Sequence, residues 1–87
     1  MDAQRISMIR NSLNLSQASF GQLLGVHAMT VSKWERGVLA PNAYQATLIN
    51  NFEQAAKSGE VKGKIEGILI GAGLAAALLL LLKAASK

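Results

Sequence analysis

Residues 15–37, LSQASFGQLLGVHAMTVSKWERG, carry three backbone stops whose spacing leaves room for two short helices and a tight turn. Ser16 opens the first helix, because its hydroxyl can accept from backbone N–H groups two or three positions on. Gly25 ends that helix where a positive φ is easiest to adopt, and Gly37 can do the same for the second. Between the stops, Phe20, Leu24, Val26, Val31 and Trp34 fall at spacings that bring the apolar sides of both helices together. Thr30, Ser32 and Lys33 are left on the outward side of the second helix.

The flanking sequence extends this pattern into an all-α domain. Ile6, Ile9 and Leu13 recur at helical spacing and predict a first helix over Ala3 to Leu13. The two helices of the motif are expected over Gln17 to Leu24 and Ala28 to Arg36. Residues 37–42 hold the only proline and read as a loop, and Asn42 is a good N-cap for a fourth helix with Leu48, Ile49 and Phe52 inward, fading near Lys57. The predicted organisation is a compact domain of four to five helices over residues 1–57, a polar, glycine-containing linker over 58–64, and a hydrophobic C-terminal helix over 65–87.

Leu15-Ser16-Gln17, Gly25-Val26, the run Thr30-Val31-Ser32-Lys33-Trp34-Glu35-Arg36-Gly37 and Pro41 together resemble the Cro/cI-type helix-turn-helix repressors of the Xre family. The resemblance covers roughly residues 5–55. It implies sequence-specific binding of double-stranded DNA, with the helix over 28–36 entering the major groove. Gln17 is implied as a phosphate contact, and Ala28, Met29, Thr30, Ser32 and Lys33 as the DNA-facing side of the reading helix. His27 and Arg36, at the two ends of that helix, are candidates for further phosphate contacts. Arg10 and Glu35 match a pair that ties helix 1 to helix 3 in relatives, and Trp34 matches the apolar position that locks helix 3 to helix 2. Where relatives often carry amide side chains, this chain has Ala28 and Met29, which can touch thymine methyl groups, while Lys33 can donate to guanine O6 and N7. The preferred operator therefore does not carry over from relatives.

From Gly67 to Leu82 no polar side chain occurs, and lysines flank the run at positions 62, 64, 83 and 87. As one helix, those roughly sixteen residues would reach about 24 Å, short of the ~30 Å hydrocarbon core of a bilayer. Gly63, Gly67, Gly71 and Ala75 recur every fourth residue and would form a straight ridge of small residues on such a helix, suited to close approach of a second copy. Large side chains point in every direction around the rest of it, so it must be surrounded either by copies of itself or by lipid.

Composition narrows the function classes. A chain of 87 residues with a formal net charge of +4 has room for one small domain with an appendage, and its sign favours phosphate. It has no cysteine, so disulfide scaffolds and thiolate metal sites are excluded. His27, the single histidine, has no nearby carboxylate pair and is a poor start for a metal site. The five acidic residues are scattered and no nucleophile has a base beside it, so neither catalysis nor a cofactor is expected. Because the amino terminus lacks the apolar core of a secretory signal, the domain is expected in the cytoplasm with DNA. The expected function is a DNA-binding repressor that forms homo-oligomers through its tail. The alternatives are a head anchored to the inner membrane by that tail, and a structural protein whose helix-turn-helix docks other proteins.

Overall fold

A computed structural model describes residues 1–58 and 64–85. These residues form six helices: α1 (Ala3–Ser12), α2 (Gln17–Leu24), α3 (Ala28–Glu35), α4 (Ala43–Ser58), α5 (Ile65–Gly71) and α6 (Leu74–Ala85). The first four lie within a residue or two of the spans that capping and apolar spacing predict.

Most of those boundaries have a local cause. Asp2 caps α1 by accepting from the Gln4 N–H at 3.1 Å, and Ser16 caps α2 by accepting from the Ser19 N–H at 3.0 Å. Gly25 and Gly37 take φ of 72° and 74°, which lets the chain leave α2 and α3 sharply. At the start of α4, Asn42 and Gln45 form a reciprocal capping box: the Gln45 N–H donates to Asn42 Oδ1 at 2.8 Å and the Asn42 N–H to Gln45 Oε1 at 2.9 Å.

The tail departs from the single helix expected over 65–87. Gly73 has φ 99°, outside the helical region, and separates α5 from α6. The N–H groups of Ala72 and Gly73 both fold back onto the Ile68 carbonyl, at 2.8 and 3.0 Å. The break has a packing reason, since it lets Ile65 and Leu69 on one side of it and Ala77, Leu81 and Ala84 on the other enter one core. Within the described residues the tail therefore completes the core of the head. It is not a separate helix projecting beyond it.

That core is continuous. Phe20 and Phe52 meet edge to face at its centre, with ring centroids 6.2 Å apart, and Trp34, Ile6 and Ile49 are buried with them. α6 lies along α4 and reaches α2, while α5 packs on α6. Ser19 Oγ donates to Glu66 at 3.4 Å and links α2 to α5. On the opposite flank Arg5 pairs with Glu53 and donates to Asn50 at 2.9 Å, tying α1 to α4.

The expected linker, 58–64, is reached only at its ends: Ser58 is the last residue of α4 and Lys64 precedes α5. Residues 59–63 lie outside the described residues. Among the described residues, no helix is long and apolar enough to cross a membrane. The break at Gly73 leaves α6, the longest apolar helix, with only 12 residues.

Candidate nucleic-acid interface

The reading helix is held by what it buries. Val31 and Trp34 point into the core, and Gly21 lets the turn close over α2: a Cβ built there would meet the Val26 carbonyl oxygen at 2.6 Å. Glycine inside a helix ordinarily costs about 1 kcal/mol against alanine. Here the absence of a side chain permits the backbone of the turn to lie against α2, where the Val26 N–H donates to the Gly21 carbonyl at 2.9 Å.

With Val31 and Trp34 inward, Ala28, Met29, Ser32, Lys33 and Arg36 share one outward arc, about 140° wide at 3.6 residues per turn. Met29 is 63% exposed and Lys33 and Arg36 are exposed, so the arc presents an apolar tip and two cations. Arg36 Nε donates to Ser32 Oγ at 3.2 Å, which lays the guanidinium along the helix. Thr30, expected on the outward side, falls about 60° beyond Lys33 toward Trp34 and is half-buried; its N–H closes the first turn on the His27 carbonyl at 3.0 Å. His27 is the N-cap residue of α3, and its exposed side chain makes no capping bond.

The one carboxylate of the helix borders this arc, about 20° from Ala28 at 3.6 residues per turn, and is covered and paired there. Arg10 Nε and Nη2 donate to Glu35 Oε2 and Oε1 at 2.6 and 3.0 Å, a two-pronged pair whose side chains are only 15% and 10% exposed. Arg10 Nη1 also donates to the Leu15 carbonyl at 2.8 Å, so one guanidinium fastens α1, the approach to α2, and α3. Burial pushes the Glu35 carboxyl up. The bonds from Arg10 and Gln17, the Arg10 charge and Ser7 outweigh that and hold it below the usual range.

Gln17 has a partner that sequence reasoning missed. Its Nε2 donates to Glu35 Oε1 at 3.3 Å, so the half-buried side chain at the start of α2 joins the Arg10–Glu35 pair. The residues are 18 apart and neither has a local signal for the other; only the angle between α2 and α3 brings them together.

The four small residues expected to form one ridge are not collinear. Gly67 and Gly71 lie on α5 and Ala75 on α6, on opposite sides of the break at Gly73, while Gly63 falls outside the described residues. Gly67, Gly71 and Ala75 are all exposed, and among the described residues nothing outside the local helix lies within 4 Å of a Cβ built on either glycine.

A family model described as helix-turn-helix matches residues 6–52, from the first buried residue of α1 to Phe52 within α4. α5 and α6 lie beyond the match. No curated protein and no solved structure gives a match.

Proposed function

The chain belongs to the helix-turn-helix family of DNA-binding transcription regulators, and from that premise we propose that it is a sequence-specific repressor that sets α3 in the major groove. The observation that carries this reading is the outward arc of α3, which has Lys33 and Arg36 and whose bordering carboxylate, Glu35, is paired with Arg10 and only 10% exposed. In the groove, Lys33 donates to guanine O6 and N7, and Met29 and Ala28 touch thymine methyl groups. Thr30 and Ser32 flank those contacts. Gln17 and the backbone N–H groups at the start of α2 hold phosphate, with His27 and Arg36 on phosphates at the two ends of α3.

Symmetric copies would read half-sites about 34–36 Å apart. We assign their association to the tail. Ile70, Leu74, Leu79 and Leu82 are exposed and apolar, and Gly67, Gly71 and Ala75 are the small positions open beside them. Linked copies gain avidity for clustered operators, and a site occupied in this way excludes other proteins from the promoter it overlaps.

The DNA reading is tested by titrating duplexes with Lys33→Ala. A base contact predicts a loss of about 1–3 kcal/mol and relaxed preference at one position of the site. An equal loss on every duplex makes Lys33 a phosphate contact, and no loss removes the docking face. Sedimentation of Leu79→Lys beside the parent chain tests the association: it should shift the protein toward single copies with the helical content unchanged. A reporter carrying the selected site should be derepressed by the same Lys33→Ala change.

A further inference from the structure

Glu35 is an acceptor-only group, and so is the phosphate that Gln17 is proposed to meet. An amide that serves both must offer nitrogen to both. A side-chain amide can do so, because its nitrogen carries two hydrogens about 120° apart and each takes a separate acceptor. With Nε2 3.3 Å from Glu35 Oε1, one hydrogen is taken inside the protein and the second is left for another acceptor. The reverse orientation would set the amide oxygen against the carboxylate, which is unfavourable.

Glu35 can hold Gln17 because it is itself held. Two bonds from Arg10 fix the carboxylate, and the bond from Arg10 to the Leu15 carbonyl fixes the guanidinium against the residue that precedes the Ser16 cap. The cation also neutralises a carboxylate that would otherwise repel a phosphate at the start of α2. A long side chain with several rotatable bonds would lose much of its freedom on binding DNA, and a pre-formed bond removes part of that loss in advance.

We propose that Glu35 is a positioning residue for DNA binding: it orders the Gln17 side chain and turns its amide nitrogen outward before the duplex arrives. The inference rests on the reading of Gln17 as a phosphate contact and adds a role for a residue whose side chain is only 10% exposed.

The test is a double-mutant cycle on the full chain, with duplex affinity and thermal melting measured for Gln17→Ala, Glu35→Gln and the double variant. Gln17→Ala should lower affinity about tenfold, as expected for a hydrogen bond to a charged group. Glu35→Gln should lower it in the presence of Gln17 and have little further effect in the Gln17→Ala background. Losses that multiply in the double variant would overturn the proposal, because Glu35 would then act without Gln17.

If Glu35→Gln does not fold, the parent chain still decides the matter through the Gln17 side-chain amide signals. One of the two protons should be shifted and slow to exchange in the free protein, and the other should move when duplex is added. Two protons that both exchange like those of an exposed glutamine would overturn the proposal. An unchanged affinity for Gln17→Ala, alongside weakening by Lys33→Ala, would remove the phosphate contact and this inference together, while leaving the DNA reading intact. Unchanged affinity for both variants would remove the DNA reading itself.

Discussion

α3 and α6 are both short helices seated on the same core, and they differ in what they turn to solvent. α3 buries Val31 and Trp34 and exposes Met29, Lys33 and Arg36. α6 buries Ala77, Leu81 and Ala84 and exposes Leu74, Ala75, Leu79 and Leu82, so apart from the exposed Lys83 in its last turn its two sides are of the same chemical kind. Solvation alone orients α3, since turning it over would bury a lysine and expose an indole. It does not orient α6, which settles where small residues let it lie against α4 and where a leucine fills the space that the head leaves. A helix with two unlike faces announces which side it buries, whereas a helix with two like faces announces only that something must cover it.

The largest effect should come from the oriented helix. Trp34→Ala removes the biggest fully buried side chain, and about 3–5 kcal/mol is the usual range for truncating a buried tryptophan. That is comparable to the whole stability of a small domain. Circular dichroism and thermal melting should show a chain that is unfolded or nearly so. A variant that stays folded and loses only DNA binding would place the indole on the outward arc and reverse the contrast between the two helices.

The next effect tests the unoriented helix from both sides. Leu81 is 0% exposed and Leu79 is 67% exposed, two residues apart on opposite sides of α6. Leu81→Ala should cost about 2–4 kcal/mol through the cavity it leaves. Leu79→Ala should change the stability of a single chain by less than about 0.5 kcal/mol. Melting at high dilution separates the two. Equal costs would mean that α6 is covered on both sides within one chain.

The same contrast explains what the sequence revealed. The head was legible because most of its boundaries have a local chemical mark: the Ser16 and Asn42 caps, the glycines at 25 and 37, and apolar residues that alternate with polar ones at helical spacing. The outward arc of α3 was legible for the same reason, apart from Thr30, which lies half-buried between Lys33 and Trp34. The tail offered no polar residue to mark a boundary or a face between Gly67 and Leu82. Three glycines in that run look alike in the sequence, yet only Gly73 has the positive φ that divides it into two helices. The bond from Gln17 to Glu35 was hidden for another reason, since it depends on the angle between two helices and on no spacing within either.

A smaller effect should follow at Gly21, whose role was equally hidden. In the sequence it is one more glycine in a helical pattern. In the fold, a Cβ there would stand 2.6 Å from the Val26 carbonyl oxygen, a backbone atom that can move only if the turn before α3 moves. Gly21→Ala should therefore cost about 1–3 kcal/mol, the usual penalty of overpacking, despite the better helix propensity of alanine. Because the strain falls on the turn that aims α3, DNA affinity should drop beyond what the loss of folded protein accounts for. A variant with raised stability would show that the turn stands farther from α2.

The smallest effect should have the opposite sign. Gly67 lies inside α5, its φ is not in the positive range, and among the described residues no atom beyond its chain neighbours and its own helix backbone lies within 4 Å of a Cβ built on it. Alanine there loses nothing by contact and gains helix propensity, so Gly67→Ala should stabilise a single chain by about 0.5–1 kcal/mol. For a domain of this size that raises Tm by about 3–6 °C. The melt is read at high dilution, where copies are apart and only the chain's own packing counts. A lower Tm under those conditions would mean that backbone or side chain already occupies the space beside α5. If the gain at high dilution instead disappears as the protein is concentrated, a second copy lies against Gly67. The small residues of the tail would then serve contact between copies after all.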